Sequence, residues 1–191
     1  MQQDKPLLGV TLMLGFCAMA PLGDSMAKML GGEIGLLQLI FIRFSLQLIF
    51  LAPIFLLRPR SFSMSSRVLR LMIMRTVLHI LGIGMMFSAL TFLPLADAVA
   101  IAFVMPFISL LLGHFILKEE VGPRRLIASI VGFLGTLLVV QPAFQNVGWP
   151  ALLPLGVAVV FALFMLVTRQ MAKEIDPIAM QVLSGGMAVA F

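Results

Sequence analysis

Five ionisable side chains stand out within long apolar runs of this sequence: Asp24, Arg43, Arg75, His79 and Asp97. Charge is expensive there, since an arginine at the centre of a lipid-embedded helix costs about 2.5–3.5 kcal/mol on insertion scales. Each therefore needs a partner or a function. Arg43 stands near the middle of its run, and Asp24 sits about one turn from the end of the preceding one. Two readings stand for Arg43. It pairs with Asp24 to join two helices, or its forked donors meet a carboxylate or phosphate of a bound molecule. Arg75 and His79 are spaced i, i+4 and share one helix face, with Gly82 and Met86 continuing the stripe. Arg75 either snorkels to the nearer water interface or takes part in a cavity. His79 lies deeper and is either a packing histidine or a proton-coupling group, because imidazole titrates near neutral pH.

The remaining polar candidates are weaker. Asp97 opens a run just after Pro94, where the helix dipole stabilises an acid; proton coupling is the alternative. Gln38 and Gln47 offer neutral hydrogen-bonding groups to a cavity or a neighbouring helix. His114 is expected at an interface. Pro106 sits in mid-run and must kink its helix or free the carbonyl four residues back. The two histidines are 35 residues apart, and no H-E-x-x-H, G-x-S-x-G or Gly-rich phosphate loop is present. A lone Cys17 offers neither a disulfide nor a metal cluster. No metal, cofactor or catalytic step is expected.

The elements that must position these residues follow from composition. Of the 191 residues 61% are hydrophobic and 11% charged, with a mean hydropathy of +1.14. A soluble domain carries about 25% charge, so a soluble enzyme and a nucleic-acid binder are excluded. Windows of about 20 apolar residues mark seven segments, near 7–28, 34–57, 70–92, 95–116, 126–142, 150–170 and 177–191. They are apolar all round and lack strand alternation, which predicts an all-α polytopic transmembrane bundle. The triplet Ala18-Met19-Ala20 imitates a signal-peptide cleavage site, but the apolar run continues past it to Met29, so the first segment is read as a span. Trp149 is placed at the outer interface. The 15 methionines either fill the core or line an adaptable cavity.

Lysine and arginine fix an orientation. With a cytoplasmic N-terminus, ten of the 13 basic residues lie inside, Lys28 lies outside, and Arg43 and Arg75 are within spans. The net charge of +5 then records topology and requires no nucleic acid. Ala96/Ala100, Ser109/Gly113 and Ala128/Gly132 permit close helix approach and are compatible with a homodimer.

A repeat is visible at an offset near 145 residues. Leu-Gly-Val, then an apolar stretch, then Met-Ala-Lys (26–28 and 171–173) and a glutamine (Gln38 and Gln181) occur in both copies. Five spans separate the copies, so they are inverted, a device of secondary transporters.

At this level the sequence resembles the EamA-type transporters of the drug/metabolite transporter superfamily. The likeness rests on Lys28 followed by Arg43 in Phe41-Ile42-Arg43-Phe44, and on the turn Ala89 to Ala96. It also rests on Pro106 with the stretch Leu117 to Arg125 that holds Glu119, and on Gly132 and Gly135. Ala128 departs from it, where glycine is expected. The resemblance implies a ten-helix fold built from an inverted five-helix repeat, and a transporter of a small organic metabolite or drug working by alternating access. It sits in the bilayer of the bacterial cytoplasmic membrane, with a small-molecule solute as partner. On that reading 1–142 is the first repeat, and 143–191 is helix 6 with part of helix 7. The expectation is a truncated member; the alternative is a non-transporting fragment or assembly subunit. Arg43, Arg75, His79, Asp24, Asp97, Gln38 and Gln47 are the substrate or coupling candidates, and Lys28, Pro106, Glu119, Gly132 and Gly135 the structural motif.

Overall fold

The computed structural model describes, between residues 7 and 29, Leu7, Thr11, Leu14, Gly15, Ala18, Met19, Leu22, Gly23, Ser25, Met26, Lys28 and Met29, and then residues 33–57, 65–118, 120–172 and 174–190. The described residues of that first stretch are helical and belong to α1. There follow α2 (Leu36–Leu57), α3 (Ser66–Leu90), α4 (Leu95–Ala102), α5 (Met105–Leu117), α6 (Pro123–Val147), a 3-10 turn (Trp149–Leu152), α7 (Leu153–Met171) and α8 (Pro177–Ala190). No strand occurs among the described residues. Among the described residues, four elements are long and apolar enough to cross a membrane: Leu36–Leu57, Ser66–Leu90, Leu95–Leu117 and Trp149–Met171.

Local chemistry sets the boundaries. Helix α3 begins four residues before the expected 70, because the Ser65 hydroxyl accepts the Val68 N–H at 3.2 Å and caps it. Hydropathy windows pass over such polar first turns. Helix α6 outruns the expected 142 and stops at Gly148, whose φ of 79° suits only glycine well. Helix α8 starts where sequence chemistry says it should: the Asp176 carboxylate accepts the Ile178 N–H at 3.0 Å, and Pro177 follows at the first helical position. The turn between α3 and α4 matches the expected Ala89–Ala96 stretch, with the Phe92 and Leu93 N–H groups donating to the Ala89 carbonyl.

Span four is broken as Pro106 requires. Phe103 and Val104 interrupt it, and Pro106 sits in the first turn of α5 with no N–H for the Ala102 carbonyl. Val104 instead bonds Ile101 in a tighter 3-10 turn, N···O 3.3 Å. Pro106→Ala restores that donor, so hydrogen exchange at residues 103–107 is expected to slow; unchanged exchange means that the proline does not cause the break.

The main packing sets α3 against α7, α2 against α8, and α5 against α7. One core cluster joins Val68 and Met72 of α3 to Val167 and Met171 of α7 and to Ala179 and Met180 of α8. Another joins Ala89, Leu90 and Leu93 to Ala98, Ile101 and Ala151 at the opposite end of the bundle. Met72, Met171 and Met180 thus fill the core, while Met105 and Met165 line a cavity.

Ties between loops add little. Arg67 and Glu174 meet at 3.3 Å with side chains 65% and 36% exposed. Such a pair contributes less than about 1 kcal/mol, and Arg67→Ala is expected to leave thermal unfolding in detergent unchanged within error.

Candidate functional site

The middle of α3 carries the most constrained polar chemistry among the described residues. Arg75 lies about 13 Å along the axis from Ser66, at 1.5 Å per residue, and is 3% exposed. Its side chain does not reach back to the interface but crosses to α7 and α8. Nε donates to the Thr168 hydroxyl at 3.0 Å, Nη1 to the Ser184 hydroxyl at 2.6 Å and Nη2 to Gln181 Oε1 at 2.6 Å. The guanidinium also lies 4.6 Å from the centre of the Phe164 ring, a cation–π distance.

Why these groups accept is legible in their own donations. The Thr168 hydroxyl gives its proton to the Phe164 carbonyl at 2.7 Å, and the Ser184 hydroxyl gives its own to Met72 Sδ at 3.3 Å. Each oxygen therefore turns a lone pair to Arg75. The backbone at Gln181 is tied to α2, because its main-chain carbonyl accepts Gln47 Nε2 at 2.9 Å. A chain of contacts thus runs from α2 through α8 to α3 and α7. All of the side chains that bond Arg75 are neutral, so its cation is satisfied by dipoles and a ring face, without an ion pair.

One turn further along α3, His79 is enclosed by rings. Its imidazole meets Phe44 edge-on at 5.1 Å between centroids, Phe161 at 6.3 Å and Phe164 at 4.9 Å. Its Nδ1 is buried with no hydrogen-bond partner among the described residues. At Gly82, the next residue on the stripe, α7 lies close: a Cβ there would stand 3.0 Å from Phe161 Cε2. Arg75, His79 and Gly82 thus form one seam against α7.

Gln47 reaches that seam through the Gln181 backbone, and the other candidates are spread over the remaining elements. Arg43 and Gln38 are exposed on α2, and Asp97 is half-buried in the first turn of α4, where the dipole favours an acid. His114 is exposed in the last turn of α5, its ring 5.2 Å from Phe115. Lys28 donates to the Leu93 carbonyl at 3.0 Å, tying α1 to the turn after α3. A Cβ at Gly132 or Gly135 would meet no atom within 4 Å. Asp24 and Glu119 lie outside the described residues. Sequence reading missed Thr168, Ser184 and Phe164. One signal was present: Gln181 and Ser184 are spaced i, i+3 on one face of an otherwise apolar helix.

Two cavities flank the break in span four. One of about 320 Å³ lies between α5, α7 and the link into α6, and an apolar one of about 210 Å³ lies on the far side of Met105 and Pro106. No group of three or more potential metal ligands stands together among the described residues.

An all-helical membrane bundle with a buried, dipole-held cation defines the class; comparison defines the family. Residues 7–141 match the EamA-like transporter family, to which the chain belongs. It is 32% identical over 124 residues to a riboflavin transporter of Rhizobium johnstonii, covering 61% of this chain and 41% of that protein. It is 24% identical over 174 residues to an S-adenosylmethionine uptake transporter of Rickettsia prowazekii, covering 91% and 59%. A riboflavin transporter of Vibrio cholerae is 26% identical over 111 residues, covering 58% and 37%. The chain thus spans between about two-fifths and three-fifths of these relatives. No solved structure gives a significant match.

Proposed function

We propose that the protein moves a small organic metabolite across the bacterial cytoplasmic membrane by alternating access, with no chemical change to the solute. The observation that carries this is the family match over residues 7–141 together with the matched relatives, which are named as transporters. The seam of Arg75 and His79 is the part on which movement depends: it joins α3 to α7 and α8, where a small displacement breaks three directed hydrogen bonds at once. In this reading 1–142 is one five-helix repeat, 143–191 opens its inverted partner, and the N-terminus is cytoplasmic, as the distribution of lysine and arginine favours. Arg43, Asp97, Gln38 and Gln47 remain solute or coupling candidates. His79, with its unbonded Nδ1, is the coupling candidate best supported by geometry.

The test is flux in proteoliposomes holding the purified chain, with labelled riboflavin and labelled S-adenosylmethionine as the first solutes. Saturable, protein-dependent uptake of either is expected. With correctly inserted protein, no uptake of these or of a wider metabolite panel would leave the chain as a non-transporting fragment or an assembly subunit.

A further inference from the structure

The cavity of about 320 Å³ is built from two unlike halves. Its rim holds Arg125 from the first turn of α6, Arg169 from the last turn of α7, and Glu120 from the link before α6. Its floor is apolar, with Met105, Pro106 and Met165 among the groups that form it, and Ser109 also lines the cavity. Two guanidinium groups and one carboxylate thus stand together at the described rim. Arginine keeps its charge at any physiological pH and binds planar oxyanions in a fork. The floor is adaptable for a stated reason: thioethers repack around varied shapes, and the proline break prevents the backbone from closing over them. Beyond Met105 and Pro106 the smaller cavity offers further room lined by Ala102, Phe103 and Phe161.

We propose that this cavity is a binding site for an amphipathic organic anion, which seats a carboxylate or phosphate between Arg125 and Arg169 and lays an apolar body over Met105, Pro106 and Met165. This rests on the transporter reading, in which the occupant is the solute on the side bearing most of the basic residues. An anionic phospholipid headgroup carries the same chemistry, so the test separates the two sources. Glu120 sets a limit on the ligand, because it opposes a second negative charge.

The test uses Ser109→Cys in a Cys17→Ser background, with Ser66→Cys as a reporter at the same end of the bundle, in phosphatidylcholine nanodiscs. Each thiol is reacted with an anionic methanethiosulfonate (the ethylsulfonate) and a cationic one (the ethyltrimethylammonium). The anion-to-cation rate ratio at position 109, relative to position 66, is expected to fall about tenfold in Arg125→Gln/Arg169→Gln, the scale of unit charges acting across several ångströms of partly wet protein. Added 2-naphthoate should slow labelling at position 109 at least about threefold, while 2-naphthamide should not. A ratio unmoved by the double variant, or a thiol inert to both reagents, overturns the proposal. Protection by added phosphatidylglycerol without protection by 2-naphthoate overturns it in favour of lipid. These readouts need no transport, so naphthoate protection without flux sinks the transporter reading and leaves the site standing.

Discussion

Arg75→Ala is expected to destabilise the protein by roughly 2–4 kcal/mol. The substitution removes hydrogen bonds to Thr168, Ser184 and Gln181 and the contact over Phe164. Interhelical hydrogen bonds inside membranes contribute about 0.6 kcal/mol each on average, and a desolvated cation–π contact about 2 kcal/mol. Removal also leaves three acceptors facing a void. Arg75→Lys retains the charge, but one ammonium cannot reach oxygens on both α7 and α8 with the planar fork that three directed bonds require. It is expected to fall between parent and alanine. Denaturant titration of the purified protein in detergent, followed by circular dichroism, measures both. An alanine variant that unfolds with the parent would show that α3 is held by apolar packing alone.

Gly82→Leu is the second large effect, at roughly 2–3 kcal/mol, the range for overpacking a filled interior. Already at Cβ the new side chain would stand 3.0 and 3.1 Å from two atoms of the Phe161 ring. That ring is not free to retreat, since it packs against His79 and Phe164. Helices α3 and α7 must then separate, which also stretches the Arg75 contacts. Two neighbouring glycines act as controls. At Gly156 the first atom met is the methyl end of Met85, which swings aside readily, and at Gly84 a Cβ meets nothing within 4 Å. Gly156→Ala and Gly84→Ala are therefore expected to stay within about 1 kcal/mol of the parent. Helix propensity favours all three substitutions, so a Gly82→Leu variant as stable as the two controls would mean that the Phe161 contact does not limit the packing.

Much of the fold was legible in the sequence because membrane helices leave a strong signal: apolar runs of fixed length, broken by charge, proline and glycine. The turn at Ala89–Ala96, the break at Pro106 and the Asp176-Pro177 start of α8 all follow from residue chemistry acting within a few positions. The ends of α3 and α6 were misplaced for the same local reason in reverse. A serine cap and a positive-φ glycine decide them, and neither registers in a hydropathy window.

The seam was legible only in half. The i, i+4 spacing of Arg75 and His79 placed both on one face, but which way Arg75 points depends on α7 and α8, about 90 to 110 residues later in the chain. No periodicity in α3 carries that information. Depth from the helix end suggested snorkelling, yet hydroxyl and amide groups on two other helices offered better solvation than a distant interface. Of the two readings of Arg43, the pairing with Asp24 concerns a residue outside the described ones; Arg43 itself stands on an exposed face of α2.

The central structural claim is that Arg75 bonds directly across helices, and a double-mutant cycle between Arg75→Ala and Ser184→Ala tests it. The two side chains meet at 2.6 Å through a charged donor. The direct bond predicts a coupling energy of about 1 kcal/mol or more in the denaturant titration, above the roughly 0.3–0.5 kcal/mol within which independent sites add. Strictly additive losses would contradict it, and Ser184 would then not be a bonded partner of Arg75.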